Sequence, residues 1–170
     1  MSVDAAKEVF FKSDHFAIVG ASKDHDKIGN KVSVSQGGGF TFYEWPREAY
    51  HACPVPVTCW YKEHGFDAIP IHPRESSVEE LQTVASVYDI PDPTSTSMSI
   101  ITPPRVTLQI VKAAILELGI AAVWLQPGAE DDEVKAWVDE LDDCYKNRII
   151  LGGPCILVDG EQLLKDVGKI

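Results

Sequence analysis

The sequence predicts a doubly wound α/β fold, a mostly parallel five-stranded sheet with helices on both faces. Five near-continuous apolar runs each stop at glycine or proline, as strands buried on both faces of a parallel sheet do. Helical patterns lie between them, with apolar residues recurring at three- and four-residue spacing. Strand and helix patterns alternate, which gives a βαβ series. At 170 residues the chain is long enough for one domain with a sizeable core.

Residues 4–12 form a short leading helix. "FAIVGAS" (16–22) is the first strand and stops at Gly20. "FDAIPIHP" (66–73) is the second and stops at Pro73. Next, "SSVEEL" (76–81) offers a capping-box helix start, pairing Ser76 with Glu79 or Ser77 with Glu80. "TSMSIITPP" (96–104) is the third strand, stopped by two prolines that suit the first turn of a following helix. That helix runs to Leu118 through Val106, Ile110, Val111, Ala114 and Ile115, and Gly119 suits its C′ position. "IAAVWLQPG" (120–128) is the fourth strand. A helix over 130–145 follows, with Val134, Trp137, Val138 and Leu141 on one face and Glu130 to Glu133 at its positive end. "RIILGGP" (148–154) is the fifth strand.

The segment "SVSQGGGFTFYEWPREAYHACPVPVTC" resists this pattern. Its three glycines and three prolines, without clean periodicity, read as an irregular loop. A βαβ unit needs about 30 residues. Phe16 to Pro73 spans 58, and setting aside the 26 residues of 33–58 leaves 32. The flanks then join as one short helix ending at Gly65, so an insertion at about 33–58 into a single domain over 1–170 is the simplest account. It is either a surface loop or translated intron sequence, since Val-Ser is what an in-frame splice donor commonly encodes. A transcript across the site separates the two.

The formal charge of −11 and pI near 4.8 argue against a general nucleic-acid or anionic-membrane binder, which needs a basic excess. No apolar run approaches the roughly 18 residues of a membrane span, and the N-terminus lacks the apolar core of a signal peptide. The four cysteines show no C-x-x-C pair. A soluble, cytoplasmic protein with reduced thiols is the expectation.

In an open α/β sheet, ligands bind beyond the carboxyl ends of the strands. Five small or proline-rich strand ends converge there: Gly20-Ala21-Ser22, His72-Pro73-Arg74, Thr102-Pro103-Pro104, Gln126-Pro127-Gly128 and Gly153-Pro154-Cys155. The first loop suits a phosphate. Gly20 permits close approach, Ser22 donates, Lys23, Lys27 and Lys31 supply cations, and Gly29-Asn30 would open a helix whose N–H groups and dipole face the anion. The spacing of Gly20 and Gly29 is not G-x-G-x-x-G, and the second strand ends in "IHPRE" where an NAD site usually wants an acid. Arg74 suits a phosphomonoester, the 2′-phosphate of NADP or the 3′-phosphate of coenzyme A.

With these stretches, above all "VWLQPGAEDDEV", the chain resembles the stand-alone CoA-binding domain family, related to the N-terminal CoA-binding domain of the succinyl-CoA synthetase alpha subunit. The likeness covers about 14–32 and 59–160. It implies a Rossmann-like fold of the NAD(P)-binding superfamily and a ligand of CoA type. On that resemblance Gly20, Ala21, Ser22, Lys23, Ile28, Gly29 and Asn30 cradle the pyrophosphate. His72, Pro73 and Arg74 lie near the adenosine 3′-phosphate. Thr102, Pro103 and Pro104 line the pantetheine side, with Gln126 beyond. The insertion interrupts the helix after the pyrophosphate loop. The synthetase's second domain with its phosphorylated histidine has no counterpart here, so ligase activity is not carried over.

No catalytic residue is expected. None of His15, His25, His51, His64 and His72 forms a nucleophile–base pattern, no H-E-x-x-H, P-loop or G-x-S-x-G occurs, and no Cys/His spacing suggests metal. Cys155 is a candidate reactive thiol, able to form a mixed disulfide with CoA if its pKa is lowered. Three readings stand: a non-catalytic CoA or acyl-CoA binding module, an NAD(P)-dependent oxidoreductase, and a protein-interaction domain with a vestigial nucleotide crevice. Its partner on the first reading is a small nucleotide ligand, not nucleic acid or membrane.

Overall fold

The computed structural model describes residues 3–21, 32–36, 39–43, 56–153 and 155–169. The leading helix α1 (Val3–Lys12) precedes strand β1 (His15–Val19). Further on come helix α2 (Pro56–Glu63), β4 (Asp67–Ile71), β7 (Thr96–Ile100), α3 (Pro104–Lys112), β8 (Ala122–Leu125), α4 (Asp132–Asp139), α5 (Asp143–Lys146), β9 (Ile149–Ile150) and α6 (Ile156–Asp166). Two small ribbons, β2 (Val32–Gln36) with β3 (Gly39–Tyr43) and β5 (Ser77–Val78) with β6 (Leu81–Gln82), pair antiparallel.

The main sheet is parallel throughout, in the order β4-β1-β7-β8-β9. Counting only its own strands, that is 2-1-3-4-5, the doubly wound order whose direction reverses between the first and third strands. Side chains alternate across it. Ala17, Val19, Met98, Ile100, Val123 and Leu125 face a core shared with α3 and α4. Phe16, Ile18, Ala122, Trp124 and Ile150 face a second core shared with α1, α2 and α6. The predicted fold class is therefore observed.

The second core is largely aromatic. Trp124 is fully buried and meets Phe10 and Phe11 edge-on, with ring centroids 5.4 and 5.9 Å apart. Phe16 packs nearby against Tyr61 and Phe66 with the rings tilted. Gly160 of α6 lies flat against Trp60 of α2; a Cβ there would sit 2.5 Å from the indole. On the same face, small buried Ser97 and Ser99 leave room for these rings, and each finds a hydroxyl partner, Ser13 at 2.8 Å and Tyr61 at 2.7 Å.

Several expectations are corrected. No helix starts at 76–81. Instead Glu79 (φ 51°) and Glu80 (φ 66°) turn the β5–β6 hairpin, both positive as a two-residue turn of the primed type requires. Lys62 of α2 holds this turn through the Glu79 carbonyl and the Glu80 carboxylate. The capping box lies later, with Ser86 and Asp89 closing a 3-10 turn over Val87–Asp89. The helix from Pro104 passes into a π-helical stretch over Ala113–Glu117 before Gly119, at φ 68°, ends it as expected. The helix expected over 130–145 is two, α4 and the short α5.

The segment read as irregular holds the β2–β3 ribbon, and α2 begins at Pro56, so Val57 and Thr58 belong to the helix and are buried. Cys59 is disulfide-bonded, which corrects the expectation of reduced thiols at that position. Cys144 and Cys155 are free. Helix α6 has no counterpart among the sequence expectations, although Ile156, Gly160, Leu163 and Leu164 are buried at helical spacing. Among the described residues no helix is long and apolar enough to cross a membrane.

Candidate functional site

The parallel register aligns the strand ends into one rim. Val19 stands beside Ile71 and Ile100, Ile100 beside Leu125, and Trp124 beside Ile150. The next residues along, Gly20, His72, Ile101, Gln126 and Gly152, therefore form a row above the sheet. The sequence reading brought the five strand ends together, with its third and fifth, at Thr102 and Gly153, one position late. Of the candidate residues, Ser22, Lys23, Lys27, Ile28, Gly29, Asn30, Lys31 and Pro154 lie outside the described residues.

At the point of reversal between β1 and β7 the two loops almost touch. Gly20 has φ +92°, and a Cβ there would meet the Thr102 side chain at 3.1 Å and its backbone N at 3.2 Å. The Ile101 N–H donates to the Val19 carbonyl at 2.9 Å, which draws the loops together. Thr107 of α3 donates to the Thr102 or Pro103 carbonyl and meets the Thr102 hydroxyl at 2.9 Å. Pro103 caps α3 without a side-chain acceptor.

Beyond β4, His72 has a structural task. Its Nδ1 accepts from the Arg74 and Glu75 N–H groups at 3.2 and 2.9 Å, which folds the turn and assigns the ring proton to Nε2. Pro73 and Arg74 are exposed on that turn.

A buried chain of polar groups runs beneath the rim. The Tyr61 and Ser99 hydroxyls share a bond of 2.7 Å, and burial pushes the Tyr61 phenol far above its ordinary pKa, so it stays protonated. Gln126 donates from Nε2 to Ser99 at 3.4 Å and accepts at Oε1 from the Ile156 N–H at 3.0 Å. Gln126, 4% exposed, thus seats the first turn of α6. Thr58 was missed because it fell within the presumed insertion. It lies one helical turn, about 4.5 Å, ahead of Tyr61 on the same face of α2. Its hydroxyl is buried and has no hydrogen-bond partner among the described residues.

The family model for the CoA binding domain matches residues 55–161, more than half of the chain. The chain belongs to the CoA binding domain family. The match begins after the glycine loop, so Gly20 and the lysines that follow lie outside it. No curated protein matches this chain. Solved structures do. A conserved hypothetical protein from Pyrococcus furiosus is 25% identical, with a TM-score of 0.58 over 85% of this chain and 97% of that one. A hypothetical protein from Pyrococcus horikoshii is 22% identical, with a TM-score of 0.64 over 96% and 93%. A structure from Thermus thermophilus is 19% identical, with a TM-score of 0.61 over 96% and 99%. These likenesses bear on the fold.

At the far end of the rim, Cys155 caps α6 and is buried. Burial pushes its thiol pKa up, outweighing the Leu157 and Val158 N–H groups that face the sulfur. That favours the thiol over the thiolate that disulfide exchange needs. Glu130 reaches from the β8 loop to the β9 loop, where its carboxylate accepts from the Gly152 N–H at 2.9 and 3.2 Å. Burial raises its pKa, against the smaller lowering by Gly152 and Lys135. A raised carboxyl pKa favours the protonated folded state, so stability is lost as the pH climbs through and beyond the ordinary glutamate range. Thermal melts across that range should show wild type falling behind Glu130→Gln as pH rises and level with it at low pH. A constant difference would remove burial as the cause.

Proposed function

We propose that this chain is a non-catalytic module that binds CoA or an acyl-CoA, with the pyrophosphate at the loop after β1. The observation that carries the reading is the close packing of Gly20, at φ +92°, against Thr102 at the point where the strand order reverses, since open α/β sheets bind their ligands at that point. The unpartnered Thr58 hydroxyl on the first turn of α2 supports it, since an orphaned buried donor suits a phosphate oxygen. Arg74 supports placing the adenosine 3′-phosphate at the β4 turn, and Thr102 to Pro104 supply an uncapped helix start beside the pantetheine arm. The family membership supports a CoA-related ligand.

NADP is the second reading, favoured by exposed Arg74, whose guanidinium suits either phosphomonoester. A thermal-shift screen against CoA, acetyl-CoA, NAD and NADP separates the two. A ligand at about 100 times its Kd adds about 2.7 kcal/mol of stability. Shifts with CoA and acetyl-CoA but not with NAD or NADP are expected. A shift with NADP alone would replace this reading with the second, and no shift at all would leave a vestigial crevice.

A further inference from the structure

A buried hydrogen-bond chain joins two helices that are far apart in the sequence, α2 beginning at Pro56 and α6 at Ile156. Tyr61 of α2 is fully buried and shares a bond of 2.7 Å with Ser99 of β7. Ser99 also meets Gln126 Nε2 at 3.4 Å, just past the end of β8. The Ile156 N–H needs an acceptor, which turns Gln126 Oε1 toward α6 and leaves Nε2 for Ser99. The line runs Tyr61–Ser99–Gln126–Ile156 beneath the rim.

A second contact closes this line into a ring. Trp60, the neighbour of Tyr61, packs on Gly160, one helical turn past Ile156. Apolar packing alone lets a helix slide or turn on its neighbour. Directional bonds between buried polar groups fix one arrangement, because any other leaves a donor unpaired at a cost. The Tyr61–Ser99 bond thus sets the depth of α2 against β7, and Gln126 sets the first turn of α6. Gln126 lies beside the pantetheine arm on the family resemblance, yet it is 4% exposed and its amide is engaged at both ends.

Resting on the function proposed above, we propose that Tyr61 and Gln126 are positioning residues of the ligand site. They act through the helix starts they hold and not by touching the ligand. Tyr61 holds α2, which carries Thr58 one turn ahead of it. Gln126 ties that hold to α6. A ligand that seats α2 therefore also tightens the start of α6, and loosening α6 weakens the ligand in return.

Two mild variants test this. Tyr61→Phe keeps the ring and removes the hydroxyl, and Gln126→Met keeps the length and removes both polar ends. In titration calorimetry with CoA each should bind about three- to tenfold more weakly, and the double variant no more weakly than the poorer single one. Losses that multiply, or unchanged affinity in both single variants, overturn the coupling. Hydrogen exchange read by NMR needs no ligand. In Tyr61→Phe the Ile156 amide should exchange at least about tenfold faster, while amides of α4, on the opposite face of the sheet, keep their protection. An unchanged Ile156 amide, or an equal loss in α4, overturns the coupling as well. If wild type binds no CoA, the proposed function fails and the positioning role with it, and the exchange result alone decides whether the two helix starts are joined.

Discussion

Replacing Trp124 by alanine should destabilise the fold by about 3–5 kcal/mol, the range for removing a large buried aromatic side chain. Trp124 is fully buried at the centre of β8, where Phe10 and Phe11 pack against it edge-on. Deleting it removes its apolar burial, two aromatic pairs and the support beneath α1. The α1 rings cannot collapse into the gap without leaving Phe16, since Phe10 packs on both. Total stabilities of single domains are about 5–15 kcal/mol, so the variant would be marginal. Denaturant titration should show the midpoint falling with little change in slope. A fall under about 1 kcal/mol would mean that the aromatic core repacks freely.

Gly20→Ala should cost about 1–3 kcal/mol of stability and abolish any shift produced by CoA. Two causes act together. At φ +92° a side chain strains the backbone, and the new methyl would press on both the Thr102 side chain and its backbone N. Trimming the side chain by Thr102→Ser relieves only the first of those contacts, so the double variant should recover little. Denaturant titration gives the stability cost and thermal shift with CoA gives the binding. Full binding in Gly20→Ala would move the phosphate away from the β1–β7 junction.

The strand ends were legible in the sequence because glycine and proline stop strands for local reasons, and the parallel order then stacks those stops into one rim. Gly119 was legible likewise, as a positive-φ helix end. What stayed hidden depends on contacts between distant residues. Glu79 and Glu80 favour helix by themselves, yet Lys62 and the β5–β6 pairing hold them at positive φ. Nothing adjacent to Gln126 announces that its amide joins Ser99 to the start of α6. Cys155 read as a candidate reactive thiol because it follows a glycine and a proline, but its burial comes from how α6 packs. Helix α6 was readable from its apolar spacing. Thr58 was hidden by a boundary drawn three residues too late for the helix that carries it.

The seating of α2 against Gly160 has a bearing on how the chain assembles. That helix is anchored by residues far downstream, Ser99 through Tyr61 and Gly160 through Trp60. It can dock fully only once α6 is in place, whatever precedes it. A single added methyl at residue 160 would therefore unseat α2 from the opposite end of the chain.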